Sequence, residues 1–153
     1  MALLADSITH IQQAPNVMTG TLGQSSSVNR TVYRGSPVFI GADSDANAER
    51  IVDITAIGTH GAVGLNLTAT ADIAYTNNQG SVALWPVRIL TNNVTSGTEP
   101  DATADNRVYI TNAGQFSNTD TNSAGHSYGT CVDTRSLGGV TYYELNLTGR
   151  DET

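Results

Sequence analysis

Lysine is absent from this chain of 153 residues, and cysteine occurs only once. All seven basic residues are therefore arginines, and against fourteen aspartates and glutamates they leave a formal net charge of −7. A surface of this charge repels nucleic acids and anionic membranes, so we expect neither as a partner. Because Cys131 has no second thiol in the chain, an intramolecular disulfide is excluded, and we expect a buried, unreactive cysteine.

Long apolar runs are also missing. The N-terminal segment has no basic region, and its apolar stretch stops before Asp6, so we expect neither a signal peptide nor a membrane span there and predict synthesis in the cytoplasm. The length is that of one ordinary domain with a single core. No cluster of histidine, cysteine or carboxylate residues has the spacing of a metal site, and we predict no metal and no cofactor.

What the chain does contain is a repeated pattern of short strands. From Val32 to Leu147, runs of alternating apolar and polar residues are separated by breaks rich in Gly, Asn, Asp, Ser and Thr. This pattern predicts an all-β fold, a single antiparallel sandwich or barrel. The expected strands cover Thr31 to Ile40, Arg50 to Ile57, Val63 to Leu67, Ser81 to Leu90, Arg107 to Thr111 and Val140 to Leu147.

Several details of these strands are predicted as well. The first two of them are expected to pair, and Val63 to Leu67 is expected to have one solvated face. Trp85-Pro86 interrupts its run, and since proline cannot donate to a ladder we place it at an edge or bulge. Gly138-Gly139 predicts the turn into the last strand. The unpatterned stretches Thr91 to Asn106 and Ala113 to Gly125 predict long loops that are either mobile or used for contact.

The first 29 residues differ from this pattern. Apolar residues stand at helical spacing up to Ala14-Pro15, and the polar stretch that follows has only scattered apolar positions. We interpret residues 1 to 29 as an extended N-terminal arm, 30 to 150 as the β domain and 151 to 153 as a tail. The alternative is a first strand packed on its own barrel. If the segment is an arm, its partner-binding residues are Leu4, Ile8, Ile11, Val17, Met18 and Leu22.

One catalytic motif is present but lacks its context. Gly125-His-Ser-Tyr-Gly129 fits the G-x-S-x-G turn that exposes a nucleophilic serine in α/β-hydrolases. The residues before it are polar where a buried strand is needed, no helical pattern follows, and no histidine occurs downstream to act as the base. We therefore predict a turn at Ser127, no catalytic residues and no enzymatic activity.

Two further patterns resemble metal sites only in part. His10, His60 and His126 are too far apart in sequence to form a zinc motif. Asp43-x-Asp45-x-Asn47 matches the opening of a calcium-binding loop, but the glycine and glutamate required later in the loop are missing. We expect turns at both kinds of position.

The aromatic residues allow two interpretations. Trp85 is the only tryptophan, and it is either core filler or an exposed anchor for another subunit. Tyr109 and Tyr142 are the other candidates for an exposed interface. Together the three could form a stacking platform for a sugar, which is the requirement of a carbohydrate- or receptor-binding module of a phage fibre or a surface adhesin.

Over about residues 30 to 148, a succession of segments resembles the small bacteriophage capsid decoration proteins. The matching segments are Arg34-Gly-Ser-Pro-Val-Phe-Ile-Gly41, Gly61-Ala-Val-Gly-Leu-Asn-Leu67, Gly80-Ser-Val-Ala-Leu-Trp-Pro86, Asn106-Arg-Val-Tyr-Ile110, Ser127-Tyr-Gly-Thr-Cys-Val132 and Gly139-Val-Thr-Tyr-Tyr-Glu-Leu145. The resemblance implies a β-rich structural protein of the virion, commonly a homotrimer, that binds the major capsid protein at the capsid surface. It implies no catalytic residues. The two long polar loops and the Trp85-Pro86 break depart from the family pattern, which leaves the role of the loops open.

Overall fold

The computed structural model describes residues 9–21, 30–32, 34–42, 49–53, 61–67, 71–73, 79–103, 105–121 and 124–151. All regular structure in these ranges is β-strand, which confirms the predicted all-β class. No helix within them is long and apolar enough to cross a membrane. The strands are β1 Thr9–Gln13, β2 Asn16–Thr21, β3 Arg30–Val32, β4 Pro37–Ala42, β5 Glu49–Asp53, β6 Gly64–Asn66, β7 Ala71–Ile73, β8 Gln79–Leu84, β9 Val87–Thr91, β10 Arg107–Ile110, β11 Phe116–Ser117, β12 Gly129–Leu137 and β13 Val140–Leu147.

The strands form two main antiparallel sheets. One has six strands in the order β1-β9-β13-β12-β10-β11, and the other has five in the order β2-β8-β6-β4-β5. Strands β3 and β7 form a separate pair. The five-stranded sheet is curled, because its two edge strands β2 and β5 approach each other. The predicted pairing of the first two strands of the domain body is confirmed, since β4 pairs with β5.

The main hydrophobic core combines side chains from both sheets. Phe39, Leu65 and Ala83 of the five-stranded sheet belong to the same buried cluster as Ile89 and Leu145 of the six-stranded sheet. A second cluster on the opposite face of the five-stranded sheet contains Val38 and Val82, with Met18, Ile40 and Leu84 packed against it. The curled sheet is therefore apolar on both faces.

This arrangement corrects one prediction about β6. The alternation over Val63 to Leu67 predicts a solvated face, but all three residues of β6 are buried, including Asn66. The strand lies between β4 and β8, so its edges as well as its faces are covered.

Two proline-containing links carry the chain from one sheet to the other. Ala14-Pro15 separates β1 of the six-stranded sheet from β2 of the five-stranded sheet, and Trp85-Pro86 separates β8 from β9 in the reverse direction. Because β1 pairs with β9 and β2 with β8, the two links lie beside each other and form one corner. The predicted break at Trp85-Pro86 is thus present, but its placement at an edge or bulge is wrong. Both flanking strands are interior, and the proline stands between ladders, where no hydrogen bond is needed.

The same pairings place residues 9–21 of the N-terminal segment within the domain. Residues 9–13 and 16–21 form edge strands of the two sheets, which is the alternative of a strand packed on its own barrel and not an extended arm. Ile11 packs against the main core and Met18 against the second cluster, whereas Val17 is 55% exposed. Leu4, Ile8 and Leu22 lie outside the described residues.

The long polar loops are packed against each other where the structure describes them. Val94 forms a parallel bridge with Phe116, and the Asn93 side chain donates to the Gly114 carbonyl at 2.9 Å. The hydroxyls of Thr98 and Ser117 lie 2.9 Å apart. These contacts satisfy the hydrogen-bonding groups of polar loop residues. Sequence alone does not predict them, because the partners come from two segments far apart in the chain.

Candidate interaction site

Strands β12 and β13 form the closing hairpin, as Gly138-Gly139 predicts. The two glycines have φ values of 59° and 81°, which is the pair of left-handed conformations of a two-residue type I′ turn. Nine residues precede the turn and eight follow it, so the hairpin is longer than the other strand pairs described in the structure.

The half of the hairpin farthest from the turn is buried or half-buried, except at Asn146. We call residues 129–131 and 143–147 the root. Strand β13 pairs with β9 along this whole length, and β12 pairs with β10 at Gly129 and Thr130. Cys131, Leu145 and Leu147 of the root belong to the main core. Burial raises the pKa of the Cys131 thiol to about 11, which agrees with the expectation of an unreactive cysteine.

The other half projects from the sheet. We call residues 132–141 the finger, and every one of them is exposed. Neighbouring strands stop short of the finger, since the last partner of β9 is Tyr143 and the last partner of β10 is Thr130. Its exposed apolar side chains are Val132, Leu137 and Val140, at 45%, 49% and 41%. Both faces of the finger, a two-stranded ribbon, are therefore exposed to solvent.

The outer edge of β12 is open over the finger. Leu137 and Val140 flank the two-residue turn and exchange its hydrogen bonds, so the backbone groups of Ser136 and Thr134 point away from β13. The Thr134 N–H is bonded to the Asp133 carboxylate at 2.8 Å and not to another strand. Within the described part of the chain no strand pairs with this edge beyond the root.

A buried carboxylate joins the finger to the root. The Glu144 side chain is 7% exposed, and its two oxygens bind Arg88 at 3.0 Å and Arg135 at 3.2 Å. Arg135 also lies 3.6 Å from Asp133 on the finger. The neighbouring Tyr142 ring is buried and lies 5.9 Å from the His10 ring. These contacts orient the start of the finger relative to β9 and β1.

The aromatic residues proposed from sequence do not form an exposed platform. Tyr109 and Tyr142 are both buried, at 7%. Trp85 packs against the main core, and its indole N–H donates to the Ala62 carbonyl at 2.8 Å. The interpretation of Trp85 as core filler fits these contacts. A sugar-stacking surface made of these three residues does not.

Ser127 lies next to a histidine and an aspartate, but not in the order of a catalytic triad. The Ser127 hydroxyl donates directly to the Asp151 carboxylate at 2.7 Å, and the Asp151 N–H donates to the Ser127 carbonyl at 2.9 Å. His126 Nδ1 faces the Asp151 carbonyl at 2.7 Å. In a triad the imidazole lies between serine and carboxylate and takes the serine proton. Here these bonds attach the C-terminal segment to the residues before the root.

The remaining metal-type patterns add nothing to this site. His60 and the segment from Asp43 to Asn47 lie outside the described residues. Among the residues that the structure describes, no group of three or more histidine, cysteine or carboxylate side chains could hold a metal ion.

Sequence reasoning missed the finger as a site, although a signal was available. Val132-Asp-Thr-Arg-Ser-Leu137 precedes a strong turn but does not alternate apolar and polar residues as the partner strand Val140 to Leu147 does. A strand without an apolar face has no sheet surface to bury, and this predicts a ribbon that leaves the core. Comparison with known proteins adds no second signal, since no family model, curated protein or solved structure matches the chain.

Proposed function

We propose that this chain is a non-enzymatic structural protein of a phage virion that decorates and stabilises the capsid surface. The partner under this proposal is the major capsid protein, and the location is the outside of the shell after synthesis in the host cytoplasm. The proposal starts from the resemblance of residues 30 to 148 to capsid decoration proteins. Within the structure, the finger is the observation that supports it.

The finger has the properties of a docking element. A two-stranded ribbon with both faces in water is marginally stable by itself, and a partner that covers Leu137 and Val140 removes apolar surface from solvent. Its turn is uncharged, whereas the chain as a whole carries a net charge of −7. The finger contains one acidic and one basic residue, Asp133 and Arg135, so it brings no net charge to an interface with another protein.

The structure changes where attachment is expected. From sequence, residues 1 to 29 are the predicted attachment arm, and deletion of residues 2 to 22 is expected to leave a folded β domain. Such a deletion removes β1 and β2, which are edge strands of both sheets and contribute Ile11 and Met18 to the packing. We now expect it to destabilise the domain, so it cannot test attachment.

A pair of point variants tests attachment without removing a strand. Leu137→Asn with Val140→Thr removes the two exposed apolar side chains beside the turn, and Val17→Thr changes an apolar residue of similar exposure on β2. We expect the finger variant to lose co-sedimentation with undecorated capsids of the phage that encodes the chain. The β2 variant should bind like the unaltered protein. Equal binding by both variants would place attachment outside the finger.

The resemblance also implies a homotrimer, which stays a prediction. Light scattering should then give three times the chain mass of 16.0 kDa. A monomer in solution would limit trimer formation to the capsid surface.

A further inference from the structure

We infer that the open edge of the finger is a self-association site, at which β12 pairs antiparallel with β12 of a second copy around a two-fold axis at Thr134. This goes beyond capsid attachment, because it assigns a second role to the finger and names the partner as another copy of the same chain. The inference depends on three observations: the direction of the backbone groups, the charges along the edge, and the contact that occupies this edge in a single chain.

The backbone of the edge supplies the hydrogen-bonding groups. Thr134 and Ser136 direct their N–H and C=O groups away from β13, as the alternation from the type I′ turn requires. An antiparallel neighbour therefore meets these two residues, and the turn beyond them ends the strand. Two copies of this edge can pair in three registers, with Thr134 opposite Thr134, Thr134 opposite Ser136, or Ser136 opposite Ser136.

Charge selects one of the three registers. With Thr134 opposite itself, Asp133 lies across from Arg135 of the second copy, and the reverse pair forms by symmetry. With Thr134 opposite Ser136, Arg135 lies across from Arg135, which is a repulsive cross-strand pair. With Ser136 opposite itself, Arg135 lies across from Leu137 and no ion pair forms. The first register is therefore the only one of the three with two attractive pairs.

In a single chain, the same aspartate protects the edge. Its carboxylate accepts the Thr134 N–H at 2.8 Å and lies 3.6 Å from Arg135 of its own chain. Charged residues that cover an open edge commonly prevent uncontrolled strand pairing. Pairing in the selected register releases the Thr134 N–H to the second copy and turns Asp133 toward the other arginine. In the single chain Arg135 also contacts Glu144, at 3.2 Å.

This exchange predicts weak, reversible association in solution. The contacts formed between two copies replace similar contacts within each copy, so the net gain is small. On a surface that holds many copies side by side, the effective concentration is high and weak contacts become occupied. This last step depends on the proposed function, whereas pairing in solution does not.

A charge-swap experiment tests the inference on the isolated full-length protein. Asp133→Arg leaves two arginines on the edge, and Arg135→Asp leaves two aspartates. Each variant should therefore lose self-association. An equimolar mixture should recover it, because every edge residue then faces an opposite charge. Sedimentation equilibrium at rising concentration measures the average mass, which should increase with concentration for the unaltered protein and for the mixture only.

Proline variants separate edge pairing from a change in folding. Thr134→Pro removes the central N–H without altering charge and should abolish the mass increase. Thr141→Pro removes an N–H that points outward on the opposite edge, from β13, and should leave the increase unchanged. Circular dichroism checks that all variants keep the strand spectrum, since Arg135→Asp places a carboxylate near Glu144.

Two results would overturn the inference. One is a constant mass of the unaltered protein over the whole concentration range. The other is association that persists in Thr134→Pro or fails to return when the two folded charge variants are mixed. Capsid binding is not part of this measurement, so failure of the attachment proposal leaves its outcome unchanged.

Discussion

The root and the finger are two halves of one hairpin with opposite surroundings. In the root, β12 and β13 have strands on both sides, and Leu145 is completely buried. In the finger the same two strands continue without neighbours, and Leu137 is 49% exposed. In this one ribbon, the buried half stabilises the domain and the exposed half is available to bind another protein. The change from one to the other occurs near Glu144.

The largest expected effect comes from the two leucines on opposite halves. Leu145→Ala leaves a cavity among the main-core side chains and should lower the free energy of unfolding by about 2–5 kcal/mol. Leu137→Ala removes a side chain from solvent and should change it by less than about 0.5 kcal/mol. Urea denaturation of both variants measures the difference. A similar loss in both would mean that the finger is packed against the domain.

The two carboxylates that share Arg135 sharpen the comparison. Glu144 is buried and bound by two arginines, so Glu144→Gln should lower the free energy of unfolding by about 1–3 kcal/mol. Asp133 lies in solvent on the finger, and its ion pair with the same arginine should contribute about 0–1 kcal/mol, which Asp133→Asn measures. If Asp133→Asn lowers the free energy of unfolding more than Glu144→Gln does, the finger contributes to folding stability and does not begin where we place it.

A smaller effect on stability is expected from Ser127→Ala, at the point where the C-terminal segment is attached beside the root. Sequence alone predicts only a turn at Ser127, but the structure shows a hydroxyl that donates to Asp151. Loss of this bond should lower stability by about 1 kcal/mol. Thermal unfolding of Ser127→Ala beside Ser136→Ala, a serine on the finger, measures it. Covalent labelling of Ser127 by a fluorophosphonate would contradict its structural role.

Near neutral pH the smallest expected effect on stability concerns the thiol at the boundary, because its titration begins only above pH 9. Burial raises the pKa of Cys131 to about 11 from the ordinary value of 9.0, so the folded state holds the thiol proton more tightly than the unfolded state. The contribution of this thiol to the free energy of unfolding is therefore fully present below pH 9 and is lost as the pH rises toward 11.

The rate of thiol labelling is a second measurement of the burial of Cys131. Near pH 8, alkylation of native Cys131 should be slow, and it should accelerate as the pH approaches 11. A Val132→Cys variant adds an exposed thiol one residue away, on the finger, and should show one additional fast reaction. Equal rates for both thiols would show that Cys131 is accessible to solvent.

The closing hairpin was predictable because its signals are local. Gly138-Gly139 specifies a turn, and Leu145 and Leu147 alternate with polar residues along β13. The burial of Glu144 was not predictable, because it depends on Arg88 from another strand and on Arg135 from across the turn. Alternation describes one strand at a time, whereas a buried carboxylate needs cations from two others.

Strands β1 and β2, in residues 9–21, were not predicted as strands for a similar reason. Ile11 and Met18 are sparse apolar residues in a polar segment, and sparse residues suggest an arm when the chain is considered alone. Each of them packs on a core made by strands that occur much later in the sequence. The proline in each link was correctly taken as a break, but no local signal shows that the chain changes sheets at that point.

That proline corner has a mechanical consequence. Since β1 with β9 and β2 with β8 form one ribbon that runs through both sheets, the sheets cannot be pulled apart there without stretching covalent bonds or shearing backbone hydrogen bonds along the strands. At the far edges, β11 pairs with β10 and is bridged by Val94, and β5 pairs with β4 and approaches β2. Under tension the two sheets should therefore stay joined at this corner even where other contacts between them separate.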